Sequence, residues 1–280
     1  MKWLFIAPVL LASCGFELPR AQNGGGSDAA NPDQPGEGNG SEGGGNVTVP
    51  CATPDATGLV ACFEMEDGFD DGVLSDSAPA HRNAQSTGLA TAERPLPPSM
   101  STAAKVTPTA VTRIAQDAAL DRAAGYTLAM WVQPDSLPAQ GSAYGLLDHE
   151  LQYAMVIGLK GSAEESRCVH TGVPDYEWTE NLPTGTWSFL ACTWDGAQLC
   201  AYRWTSTGSH EHFCHQPTLP PAAVGAQGLA IGHLSNIGAA HSRFDGALDS
   251  VQIYDHSLGE DQLCALIGEP AGCLPCNTCQ

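Results

Sequence analysis

The stretch Phe244-Asp245-Gly246-Ala247-Leu248-Asp249-Ser250-Val251-Gln252-Ile253-Tyr254 decides how the chain folds. From Ala247 to Tyr254 it is rich in β-branched and aromatic side chains. It is entered through Asp245-Gly246 and left through Asp255 and Ser257, which predicts a β-strand. One helix follows: Ser257 and Glu260 have the spacing of a capping box, Leu263, Leu266 and Ile267 form an apolar stripe, and Gly268 stops it. Runs like the strand recur upstream at Leu59–Met65, Tyr126–Val132, Tyr153–Leu159, Trp187–Trp194 and Leu229–His233. Short strands at these intervals, with no long helical period between them, predict an all-β fold. The expected architecture is a β-sandwich or jelly roll with one short C-terminal helix.

The N-terminus predicts export. Lys2 precedes the apolar run Trp3–Leu11, then come Ala12, Ser13 and Cys14. That run is too short to cross a bilayer and has the form of a secretory signal. Leu11-Ala12-Ser13-Cys14 resembles the lipobox of bacterial lipoproteins. The resemblance implies that residues 1–13 are removed and that Cys14 carries the acyl chains, with Gly15 compatible with outer-membrane sorting. Several chains on one residue anchor stably. Residues 14–50 hold Gly24-Gly25-Gly26 and Gly43-Gly44-Gly45 without apolar periodicity, so a flexible linker follows the lipidated cysteine. Its roughly 36 residues span on the order of 30–35 Å. The expectation is an extracytoplasmic domain of the bacterial cell envelope, with the membrane as partner through the lipid. That domain occupies 51–270, and a Cys-rich tail 271–280.

The net charge of −20, with only 11 basic residues, excludes a nucleic-acid partner and favours solubility or a divalent cation. Setting Cys14 apart from the 11 cysteines leaves ten, an even number that reads as a disulfide framework in an oxidising compartment. Gln198–Trp204 and His210–His215 flank Thr205-Ser206-Thr207-Gly208-Ser209 and read as a hairpin. Pairing Cys200 with Cys214 sets Arg203 opposite Glu211 and Ala201 opposite Phe213, so one register supplies a bridge, a charge pair and an apolar pair. Cys168 with Cys192 is the second expected bridge. Cys273, Cys276 and Cys279 have knuckle spacing, with Cys264 or a histidine as a fourth zinc ligand, but export favours disulfides there, with Cys51 as one partner.

The order of these segments resembles the laminin-G-like, concanavalin A-like lectin domains over residues 55–268. Gly58-Leu59-Val60-Ala61 through Met65-Glu66 to Asp76-Ser77 resembles the opening of such a domain. Tyr126–Pro134 is similar to its aromatic strand ending in Trp-x-x-Pro, and Trp187–Gly196 to its Trp-strand-Asp-Gly entry. Phe244–Tyr254 followed by Ser257-Leu258 resembles the closing strand and helix. The glycine that usually follows the early Asp-Ser is missing, because Ala78-Pro79-Ala80 comes next, and the cysteine density is higher than in most relatives. The resemblance implies a two-sheet jelly roll, and a structural calcium held by Glu66 and Asp249, with Asp76 as a further ligand. A solvated acidic loop is the alternative for these acids, and Asp70 and Asp71 read as solvated.

Binding residues are sought among aromatics outside the expected core. Tyr176 and Trp178 lie in the loop-like stretch 173–185 beside Glu177 and Glu180, and Tyr202 and Trp204 share a hairpin face with His210 and His212. Trp131, Trp187 and Trp194 are expected in the core. His210 and His212 on one strand face do not close a zinc site, and His215 points the other way. Glu64-Met65-Glu66 only begins the acid-x-acid-x-acid run of glycoside hydrolases with this jelly roll, and Asp148-His149-Glu150 does no better. No catalytic residue is assigned. The expected function is non-catalytic recognition of a glycan or an extracellular protein; a structural role in envelope assembly and glycan hydrolysis are the alternatives.

Overall fold

The computed structural model describes residues 57–66, 69–96, 99–149, 152–161, 165–170, 176–178, 180–217, 227–235 and 243–268. The signal segment, Cys14, the linker, Cys51, Glu150 and the Cys-rich tail lie outside the described residues.

Among the described residues the chain forms fourteen strands. In chain order they are β1 (Leu59–Phe63), β2 (Val73–Leu74), β3 (Ala84–Leu96), β4 (Ser99–Arg113), β5 (Tyr126–Pro134), β6 (Ala143–His149) and β7 (Tyr153–Gly158). Then come β8 (Arg167–His170), β9 (Tyr176–Glu177), β10 (Ser188–Trp194), β11 (Leu199–Thr205), β12 (His210–His215), β13 (Ala230–Ile231) and β14 (Gly246–Tyr254), before α1 (Glu260–Leu266). All pairings are antiparallel, in the order β12-β11-β10-β5-β14-β4-β13-β6-β7-β8-β9. β1 adds to β14, and β2 and β3 to β4.

The two layers of the expected sandwich are joined into one curled sheet, and β4 is the reason. Its Ala104–Val106 pair with β14, whereas Thr112 and Arg113 pair with β13 in the other layer. Between these lies Thr107-Pro108-Thr109-Ala110, which bulges opposite Gly88 of β3. Gly88 has φ +74°, and a Cβ on it would lie 3.1 Å from Ala110 Cα. Proline supplies no ladder donor and an extra stretch opposite one glycine bends the strand, so the hairpin turns a corner.

The apolar interior between the layers includes Phe63, Leu128, Met130, Leu147, Met155, Ile157, Leu190, Phe244 and Leu248, each 0% exposed. Trp131, Trp187 and Trp194 are 1–3% exposed, as the sequence predicts for core residues. Within the decisive stretch, β14 runs as expected. Gly246 is required by a close approach, since a Cβ there would lie 2.3 Å from the Gln133 carbonyl oxygen and 2.5 Å from Phe244 Cζ. Gly246→Ala is expected to cost about 1–3 kcal/mol, the price of overpacking, measured by urea unfolding. The helix begins two residues later than the sequence suggests. Gly259 is its N-cap, and its N–H donates to Gln262 Oε1 at 2.9 Å. Leu258 precedes the helix, its N–H donating to Thr127 Oγ1 and its side chain buried.

Both expected bridges are present: Cys200–Cys214 across β11 and β12, and Cys168–Cys192. Arg203 opposite Glu211 and Ala201 opposite Phe213 complete the hairpin register. Cys168 and Cys192 lie on β8 and β10, which are not paired; the bridge crosses the interior and ties the two ends of the curled sheet. Cys62 and Cys264 are disulfide-bonded as well.

Candidate functional site

Register alone places five side chains in one row across five strands. His210 is opposite Trp204, Trp204 opposite Phe189, Phe189 opposite Trp131, and Trp131 opposite Asp249. This row lies on the outer face of its layer, in an apolar cluster distinct from the interior that includes Ala103, Ala247 and the α1 residues Leu263 and Leu266. The rings interlock edge-on: Trp131 meets Phe189 at 5.6 Å and 64°, and Trp204 at 5.5 Å and 87°. At the β14 end, the Arg94 guanidinium lies 5.1 Å from the Trp131 ring centroid and pairs with the Asp249 carboxylate. Both charged side chains are fully buried. Trp131 is thus closed over, and the row opens to solvent at Trp204 and His210, which are half-buried.

The next row begins with His212 opposite Tyr202. Their rings stack at 4.2 Å and 16°, and the His212 Nδ1 lies 2.9 Å from Glu260 Oε1 of the helix. Burial pushes the Tyr202 hydroxyl up to about 12, so it stays a neutral phenol. Chemically, the face offers a rigid indole platform with an imidazole beside it and the phenol one row away. Of its carboxylates, Asp249 is paired with Arg94 and Glu260 with His212.

Residues 107–264, over half the chain, match the family described as the concanavalin A-like lectin/glucanases superfamily. The chain belongs to that superfamily. The match begins beyond Gly58–Ala61 and Asp76-Ser77, so those opening motifs lie outside it. A search of curated proteins finds no match. Among solved structures, this concanavalin A-like domain is similar to domain 4 of AbnA, an extracellular arabinanase from Geobacillus stearothermophilus in complex with arabinotriose. The identity is 22% and the TM-score 0.53, covering 75% of this chain and 98% of that one. It is also similar to Trypanosoma rangeli sialidase in complex with sialic acid, at 14% identity and a TM-score of 0.52. That match covers 75% of this chain but 32% of the sialidase, about a third of its length. These likenesses establish the fold.

The other sequence-derived candidates fall elsewhere in the lectin-like domain. Trp178 is 1% exposed and packs in the interior, where a rim position was expected. Its backbone N–H donates to the Ser166 carbonyl, which continues the sheet edge there and turns the indole inward. The Tyr176 side chain lies outside the described residues. Tyr202 is on the predicted face but only 5% exposed, so it supports the platform from below the surface.

The three acids proposed for calcium each have a partner of their own. The buried Asp76 carboxylate accepts from the N–H groups of Cys62, Ala78 and Arg82 at 2.6–2.9 Å, which makes it the clamp of the loop after β2. Asp249 is held by Arg94, and exposed Glu66 accepts from the Thr102 N–H at 3.2 Å. Glu64 and Glu66 lie beyond the end of β1, and the chain turns between them at Met65, whose φ is +58°, so the acidic alternation is lost there. Asp148 accepts from the N–H and hydroxyl of Ser235 at 2.6 and 2.7 Å.

Sequence reasoning did not single out Arg94, whose partner is 155 residues away, and assigned no role to the buried His149 and His233. Burial holds the imidazoles of His149, His212 and His233 below their usual range. The unfolded chain binds a proton at each near pH 6.5 while the folded chain resists it, so the fold gives up stability as pH falls. The urea midpoint is therefore expected to be highest above about pH 6.5 and to decline towards pH 5; His233→Gln should flatten that decline.

Proposed function

We propose that this chain is a non-catalytic glycan-binding module, anchored through Cys14 and held clear of the envelope membrane by residues 15–50. The observation that carries the reading is the open end of the row: half-buried Trp204, backed edge-on by buried Trp131, with His210 beside it. A flat apolar ring on a rigid sheet with polar neighbours suits a pyranose or furanose face, and little side-chain freedom is lost on binding. The fold shared with the arabinotriose-bound domain supports the same class of ligand. Acid–base hydrolysis would require a free carboxylate pair about 5–10 Å apart across the sugar, whereas Asp249 and Glu260 on this face are held by Arg94 and His212. Any structural calcium in this reading rests on Glu66, the exposed acid of the three. A thermal midpoint that rises with added calcium and falls back with chelator supports it; an unchanged midpoint removes it.

The test is a glycan array probed with the full chain in detergent, with arabino-oligosaccharides and sialylated sugars among the features. Trp204→Ala is expected to weaken the selected glycan by about 2 kcal/mol, roughly thirty-fold in Kd, with a modest fall in the thermal midpoint from the lost ring contact and the chain still folded at the assay temperature. Binding that survives Trp204→Ala contradicts the site. Release of new reducing ends contradicts the non-catalytic role, and no retained glycan points to a structural role in the envelope.

A further inference from the structure

On the same outer face, one row beyond His212, lies the Cys200–Cys214 bridge. We infer that Cys200, Cys214 and His212 form a redox-gated zinc site: opened by a dithiol, the two sulfurs and the imidazole hold one Zn2+, with Glu260 orienting the histidine. The ligand atoms of the three residues lie within 4.8 Å of one another, and among the described residues they are the one such group of three or more. A strand bearing only His210 and His212 on a face closes no site. Here the missing ligands are two sulfurs, one on the same strand at His212 plus two and one directly across the hairpin.

The arrangement is close to what zinc requires. Tetrahedral zinc, with Zn–S near 2.3 Å and Zn–N near 2.1 Å, sets N···S at about 3.6 Å and S···S at about 3.8 Å. His212 Nε2 already lies 3.1 Å from Cys214 Sγ. The two cysteine Cα atoms are 4.0 Å apart, so opening the bridge asks mainly for side-chain rotation. The second ring nitrogen is committed to a carboxylate, His212 Nδ1 to Glu260 Oε1 at 2.9 Å, which points Nε2 at the sulfurs. That carboxylate–histidine arrangement is the one that supports zinc ligands generally. Tyr202 stacked on the ring fixes its plane. Three protein ligands and a water complete the shell.

Access separates this bridge from the interior one. Cys168 and Cys192 are fully buried, whereas Cys214 is half-buried at the sheet surface. The dithiol attacks the half-buried Cys214 sulfur, its second thiol resolves the mixed disulfide, and two electrons pass to Cys200 and Cys214. The dithiol leaves as a disulfide. The two new thiols lose two protons as Zn2+ binds, so the sum is bridge plus dithiol plus Zn2+ giving zinc dithiolate, oxidised dithiol and 2 H+.

The test uses the full chain, reduced natively with a water-soluble phosphine, desalted without oxygen and titrated with Co2+ as the probe. The reduced chain is expected to take up one more Co2+ than a reduced Cys200→Ser/Cys214→Ser variant, with thiolate-to-cobalt charge-transfer absorption that Zn2+ displaces. Comparing the two cancels any metal taken by other cysteines. Glu260→Gln should weaken the extra site by roughly ten- to a hundred-fold. Equal uptake by the two reduced proteins overturns the inference, as does an unchanged affinity in Glu260→Gln. Loss of the near-ultraviolet circular dichroism when this bridge alone is opened also overturns it, because the site requires an intact hairpin.

Discussion

Replacing Arg94 by Met is expected to lower the unfolding free energy by about 3–5 kcal/mol, because it leaves the fully buried Asp249 carboxylate without its guanidinium partner. Both side chains are fully buried, so neither charge has solvent to fall back on. Arg94 also covers the Trp131 ring at 5.1 Å, and its aliphatic stem is part of the lid over that indole. Met keeps much of the stem and removes the charge, so the loss reports the stranded carboxylate more than lost packing. The companion variant Arg94→Met/Asp249→Leu should recover most of that loss, since an apolar pair of similar volume replaces a buried ion pair at little cost. A double-mutant cycle from urea unfolding gives the coupling. A single variant within 1 kcal/mol of the native protein would mean that water reaches the pair.

The second large effect is expected at the interior bridge. Cys168→Ala/Cys192→Ala releases a 24-residue separation and ties off the two ends of the curled sheet no longer. Loop-closure entropy for that length predicts a loss of about 3.5 kcal/mol. Opening the Cys200–Cys214 hairpin bridge, with a separation of 14, should cost less, because the turn and its cross-strand pairs already hold the strands together. Thermal unfolding of the two double-alanine variants side by side measures the difference. Equal losses would mean that the interior bridge adds no constraint beyond local loop closure.

Much of this architecture can be read from residue pattern. Runs of β-branched and aromatic residues between turn residues located β5, β10 and β14, and a single charge pair with a single cysteine pair set the β11–β12 register. What pattern missed depended on distance or on weak local signals. The β3–β4 hairpin is built from Ser, Thr and Ala, broken by Pro95 and Pro108, so its strands carry little of the β-branched and aromatic signal that marks the others. Arg94 in that run looks like any surface arginine until β14 arrives 155 residues later with Asp249. Trp178 misled in the opposite sense: surrounded by acids in a loop-like stretch, it reads as a rim residue, yet its backbone continues the sheet edge and its ring turns inward. At the candidate site, the hairpin face with Trp204, Tyr202, His210 and His212 was legible because a strand alternates faces. The row linking it to Phe189, Trp131 and Asp249 was not, since it exists only once four strand registers are fixed.

The most direct measurement of the central claim is a nuclear magnetic resonance titration of the nitrogen-15-labelled chain with the glycan selected on the array. The account predicts that the Trp204 indole N–H and the His210 signals move together with one dissociation constant, while the indoles of Trp178 and Trp194 stay in place. A Trp204 signal that remains still while the glycan binds elsewhere would contradict it.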